Sequence, residues 1–324
     1  MLQPPPEAAQ TAAAAGEAAA EHAAEGFNAG ETIIEHVANS SLDHPLIHLP
    51  KVLGVDMSVT KHVLMLWLVA GLLFVAMTWI VRRYLRQERL IPGGPMAALE
   101  IVVEFVRDTI VQPNVGNKWV LVWTPLLLTL FLFIFFANLI GIIPVFDVLA
   151  LLNHWVVGAP EESFFSRVLH GGVTSTGNYN VTAALATVTF FAIIVAGSRA
   201  HGFVKHWTNL VPHGMPLPLY ALLIPLEIIG MFVRPFALTM RLAANMTGGH
   251  IAILAITSFV FIFAEMAVGS FVGASGGGIL TGLLFTTPIS AGMLGLELIV
   301  ILVQAYVFTL LSAVFIGMAI HAHH

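Results

Sequence analysis

Between His206 and the C-terminal His324 the chain carries no Lys and only two Arg, Arg234 and Arg241, and three acids, Glu227, Glu265 and Glu297. Almost everything else there is apolar. An ionised group inside a bilayer costs from about 2.5 to well above 10 kcal/mol, and it survives only by facing water, a partner charge or a protein interior. Such residues are therefore functional candidates. On a helix, at about 100° per residue, Arg234 lies within about 20° of Arg241, while Glu227 and Asn245 each lie about 40° from it. The four share one stripe. His250 falls about 180° from Arg241 if the helix is straight. Glu297 and Gln304 are seven residues apart and share a face further on. A polar stripe on an apolar helix suits a water path or a polar partner. Arginine suits a fixed charge because its guanidinium stays protonated, whereas histidine changes charge near neutral pH.

The elements that hold these residues belong to a membrane. The chain has 324 residues, 58% hydrophobic and 10% charged, against about 25% charged in a soluble domain. Mean hydropathy is +0.90. The fold class expected is an all-α polytopic membrane protein. No cysteine is present, which excludes disulfides, thiolate metal sites and cysteine nucleophiles. No basic patch with interleaved aromatics argues for nucleic acid, and no phosphate-cradling Gly–Lys loop for nucleotide chemistry. No cofactor or metal is expected, and "HAHH" at the C-terminus reads as a solvated tail.

Residues 1–50 are rich in Ala, Glu and Pro and read as an extramembrane extension, without the basic start and apolar core of a signal peptide; 51–324 form the membrane domain. A first span is expected over 62–81, long enough to cross a bilayer. Arg82, Arg83, Arg86 and Arg89 follow it, which puts that end in the cytoplasm and the N-terminus outside. Residues 95–116 read as an amphipathic surface helix, with Glu100, Glu104, Arg107 and Asp108 opposite an apolar face. A hairpin of spans follows at about 119–146 and 180–198, with an acidic outer loop at 147–178 between them. The apolar run from Pro216 to Val272 would be roughly 85 Å long as one helix, far beyond a hydrocarbon core of about 30 Å. It must break, at Pro225, Pro235 or Gly248–Gly249, or lie strongly tilted. "GASGGG" at 273–278 reads as a turn, and a last long helix covers about 284–320.

Three stretches carry a family resemblance. "RPFALTMRLAANMTGGH" (234–250), "LELIVILVQAYVFTLL" (296–311) and, more weakly, "STGNYNVTAAL" (175–185) resemble the signatures of subunit a of the rotary F-type ATP synthase, over about residues 40–320. The resemblance implies one transmembrane helix, an amphipathic surface helix, a transmembrane hairpin and two long tilted helices packed against a ring of c subunits. It implies two offset half-channels separated by an arginine. Position by position, Arg241 matches that arginine. Asn245, His250, Glu297 and Gln304 match the outer entry channel, and Glu227 matches a carboxylate near the inner exit. His250 with Glu297 is the order seen in mitochondrial relatives and fits a proton-transferring pair. Arg234, Asn178 and Asn180 are accessory; Asn178 stands where an acid is frequent, and asparagine cannot ionise. Glu265 has no motif match and reads as structural or outer-facing. Implied partners are the c-ring, the b subunits of the peripheral stalk, the F1 catalytic head, protons and membrane lipid, in a bacterial inner membrane. The chain itself is then a proton-conducting, non-catalytic subunit.

Two other functions are compatible with buried charge. A self-contained secondary transporter would show inverted repeats, and no matching pair of charged segments occurs in the two halves. A purely structural anchor leaves the polar stripe without a purpose.

Overall fold

In a computed structural model, residues 49–52, 55–56, 58–86, 91–142, 175–208, 217–269 and 277–321 are described. The extension 1–48, most of the 147–178 loop and the tail beyond His321 lie outside them. A two-residue antiparallel pair, β1 (Lys51–Val52) and β2 (Val55–Asp56), precedes the helices. Then come α1 (Lys61–Leu85) and α2 (Pro95–Glu104), followed by a π-helical segment (Phe105–Val111) and α3 (Gln112–Val115). The rest is α4 (Val120–Ile142), a 3-10 turn (Ser175–Gly177), α5 (Tyr179–His201), α6 (Phe203–Thr208), α7 (Leu217–Gly269) and α8 (Gly277–Ile320).

Among the described residues, five helices are long and apolar enough to cross a membrane: His62–Leu85, Val120–Gly141, Tyr179–His201, Leu222–Ile256 and Ala291–Ile320. The protein is an all-α polytopic membrane protein, as its composition dictates. In hydrocarbon every backbone amide must be satisfied internally, and helices achieve that. Two buried hydroxyls of α8 bond the carbonyl four residues back. Thr309 donates to Ala305 O at 2.8 Å, and Ser312 donates to Phe308 O at 2.9 Å.

Two local features differ from the sequence reading, and one alternative left open there is decided. The amphipathic stretch is not one uniform helix, because a π segment widens it at Phe105–Val111. Its apolar side is deeply buried at Val106, Ile110, Val111 and Val115, while Glu100, Glu104 and Asp108 stay exposed. The long apolar run does not break. α7 is a continuous helix of 53 residues with Pro225 and Pro235 inside it, and such prolines are tolerated where neighbouring helices support the backbone. Gly277 and Gly278, placed in the predicted Gly-rich turn, belong to α8, and 273–276 lie outside the described residues.

The described residues divide into two compact units, one within 49–249 together with 294–321, the other 250–269 with 277–293. In the first, Trp123, Leu127, Phe131 and Ile134 of α4 meet Ala186, Ile193 and Ala196 of α5, Leu238 and Leu242 of α7, and Phe308, Ala313 and Ile316 of α8. Small residues set the closest approaches. A Cβ on Gly317 would lie 2.2 Å from the backbone oxygen of Asn114, so only glycine lets α8 reach α3. At the far end of α5, the His206 ring packs against Gly197, where an added Cβ would lie 2.0 Å from Nδ1. Burial, and to a lesser extent the neighbouring His201, push the His206 pKa down. The second unit holds the end of α7 and the start of α8. There the buried Ser258 hydroxyl donates to Leu254 O at 2.8 Å.

Candidate functional site

The stripe predicted on α7 exists, and its members have different environments. Arg234 Nη2 lies 3.1 Å from Glu227 Oε1, two turns earlier on the same helix, with both side chains partly exposed. The Arg234 guanidinium also sits 5.7 Å from the ring centre of Phe315 on α8. Arg241, two turns further on, is exposed and makes no ion pair or hydrogen bond with another described residue. Elsewhere around this stretch of α7, Phe236 and Met240 are exposed apolar residues.

One turn past Arg241 the helix is tied to α8. Asn245 Nδ2 donates to Gln304 Oε1 at 2.8 Å. Gln304 and Glu297 are each only 5% exposed, so an acid and an amide are held inside the protein two turns apart on α8. The packing that admits the acid comes from a glycine. A Cβ on Gly249 would stand 3.1 Å from Glu297 Oε1, whereas one on Gly248 would meet nothing within 4 Å. Asn245–Gln304 and Gly249–Glu297 thus form two successive rungs between the helices. The pattern follows from helix geometry, since residues 245 and 249 are one turn apart and share a face.

His250 lies on α7, but its side chain is outside the described residues, and so is that of Glu265. Asn178 has a structural task. It is the N-cap of α5, and its Oδ1 accepts the Asn180 backbone N–H at 2.8 Å, a role for which asparagine is a preferred residue. Asn180 occupies the exposed first turn.

A second polar group went unnoticed in the sequence. Asn138 of α4 is fully buried, and its Oδ1 accepts the Thr176 hydroxyl from the 3-10 turn. Asn138 is the one amide side chain inside the otherwise apolar run 119–146, a signal that was available. Gly249, part of a possible bend in the sequence reading, instead borders the Glu297 carboxylate. No group of three or more metal-ligating side chains occurs among the described residues.

Five apolar helices with an arginine exposed on one of them, and an acid buried between two, define an integral membrane protein that keeps ionisable groups within its spans. A family model described as ATP synthase A chain matches residues 63–317. ATP synthase subunit a 2 of Prosthecochloris aestuarii is 37% identical over 309 residues, covering 93% of this chain and 83% of the relative. ATP synthase subunit a 2 of Chlorobium luteolum is 36% identical over 299 residues, covering 90% and 76%. ATP synthase subunit a of Myxococcus xanthus is 36% identical over 274 residues, covering 83% and 75%. The chain belongs to the ATP synthase A chain family.

Proposed function

We propose that this chain is the proton-conducting stator subunit of an F-type ATP synthase membrane sector, with Arg241 standing between two offset half-channels. The carrying observation is the contrast within α7: Arg241 is exposed with no counter-charge among the described residues, beside the Asn245–Gln304 tie and the buried Glu297. An exposed arginine within an apolar span fits an acid supplied by another subunit.

In this reading the partner is a ring of c subunits. A ring carboxylate facing lipid stays protonated, because burial disfavours its charge. Beside Arg241 the ionised form becomes favourable, so the proton leaves. Asn245, Gln304, Glu297 and His250 serve the entry side and relay protons to the ring; if His250 and Glu297 exchange protons, they titrate as a pair. Glu227, joined to Arg234, serves the exit side. Each proton falling through 100 mV supplies about 2.3 kcal/mol, which the ring turns into torque. Arg241 blocks direct leak between the two channels. Asn178 and Asn180 support the fold near the outer mouth rather than carry protons. Nucleotide chemistry falls to an F1 head, and b subunits link it to the stator. The setting is a bacterial inner membrane, with the N-terminus outside and the C-terminus cytoplasmic, as the basic flanks of the spans favour.

The test is Arg241→Ala in the assembled complex. ATP-driven proton pumping and coupled synthesis disappear while assembly persists. Wild-type coupling in that variant would end the proposal. For the entry relay, His250→Ala and Glu297→Gln each alter the pH profile of pumping; unchanged profiles in both would remove that pair from the path.

A further inference from the structure

We propose that the recess where α1 ends and α2 begins seats the phosphate-bearing headgroup of an anionic phospholipid. The recess has a volume of about 320 Å³ and is lined by Trp79, Arg83 and Tyr84 of α1 and by Gly93, Gly94 and Met96 at the entry to α2. Gly94 takes a left-handed φ of 58°, and a Cβ on either glycine would meet nothing within 4 Å, so this wall is bare backbone. The Arg83 guanidinium lies 5.1 Å from the centre of the Trp79 ring, an arrangement that holds a cation in place. Among the described residues Arg83 has no carboxylate partner. Guanidinium groups bind phosphate through paired hydrogen bonds, and basic pockets beside membrane helices take anionic headgroups.

A second feature distinguishes a lipid from a free phosphate. Leu68, Leu72, Val75 and Trp79 step along α1 by four, three and four residues and end, four residues later, at Arg83. All four are exposed, at 38%, 50%, 65% and 54%. They form an apolar track on one face of the helix that leads to the cationic recess. An amphiphile with a phosphate at one end and acyl chains at the other matches both parts. Exposed Arg82 and Arg86 add positive charge around the recess. The inference goes beyond the proposed proton path and does not depend on it.

The experiment is native mass spectrometry of the full chain, extracted from membranes with its bound subunits and supplied with equal phosphatidylglycerol and phosphatidylcholine. Wild type retains phosphatidylglycerol in excess. Arg83→Ala loses about fivefold of that retention, the weight of one basic side chain at an anionic surface. Arg83→Lys keeps part of it, and Arg199→Ala, an exposed cation on α5, keeps all of it. Glycerol 3-phosphate and inorganic phosphate at millimolar concentration leave the lipid bound. Equal retention of the two lipids overturns the proposal, as does equal loss in the Arg83 and Arg199 alanine variants. Displacement by either soluble phosphate would reassign the recess to a free anion. Loss of a co-purifying subunit in Arg83→Ala without change in lipid would reassign it to protein contact.

Discussion

Arg234 and Arg241 are the same residue type on the same helix, two turns apart, yet their surroundings have little in common. Arg234 has a carboxylate at 3.1 Å from its own chain and an aromatic ring beside it. Arg241 is exposed, and Asn245, one turn further on, pairs with Gln304 of α8 instead. A cation that finds its counter-charge within its own subunit is accounted for by local electrostatics. A cation kept within a membrane span without one is expensive unless something outside the chain uses it. The difference assigns the two arginines different work.

The largest effect separates them directly. Arg241→Ala lowers ATP-driven proton pumping by about a hundredfold or more, the scale for removing a preorganised electrostatic group from a reacting centre. Arg234→Ala lowers it only a few-fold, as expected for a partly exposed ion pair of about 0–1 kcal/mol. Equal losses, measured in inverted vesicles at matched assembly, would erase the contrast.

The next test concerns the frame behind the stripe. Gly317→Ala drives a methyl group into the Asn114 carbonyl, which is backbone and cannot swing away. It destabilises the packing of α8 on α3 by about 1–3 kcal/mol, visible as a lower thermal midpoint of the solubilised protein. A variant that is as stable as wild type would mean the two segments are further apart.

The two glycines beside the buried acid sharpen the comparison at finer scale. Gly249→Ala crowds the Glu297 carboxylate and lowers pumping by about tenfold through misplacement of that group. A methyl group at Gly248 meets nothing of this chain within 4 Å, so Gly248→Ala leaves the Glu297 carboxylate where it is. The same phenotype in both would show that helix flexibility, and not room for Glu297, is what the pair provides.

The smallest effect is a pH dependence remote from the stripe. Burial holds the His206 pKa below its ordinary 6.5, so the unfolded chain binds this proton more readily than the folded one. The stabilisation from the neutral ring is complete above that ordinary value and is lost as pH falls toward the folded one. His206→Leu therefore flattens the decline in thermal stability between about pH 7 and about pH 5. An unchanged decline would show that other groups govern it.

Much of this was legible in the sequence, for specific reasons. Runs of about 20 apolar residues can do little but form spanning helices, so the first three spans were legible, whereas the two long runs of the last third were too long to count as single upright crossings. The seven-residue spacing of Arg234 and Arg241 put both on one face before any coordinates, and Glu227 was already in register with Arg234. What sequence could not supply was which partner each charge takes. Glu227 is in register with both arginines, and only side-chain placement shows it bonded to Arg234. The continuity of α7 was also undecided, because Pro225 and Pro235 weaken a helix locally while their neighbours in space decide whether it breaks. The π segment at Phe105–Val111 left no composition signal. The roles of Gly249 and Gly317 depend on residues 48 and 203 positions away, and glycine alone says nothing of what approaches it.

The most direct test of the central claim, that Arg241 faces a rotor acid, uses the absence of native cysteine in this chain. Ala244 is exposed and one turn from Arg241. A disulfide is sought in the assembled complex between Ala244→Cys and a cysteine placed one turn from the c-subunit carboxylate. The account predicts rapid, high-yield cross-linking that stops rotation and is reversed by reductant. No cross-link at Ala244, with efficient cross-linking from a position on the opposite face of α7, would contradict it.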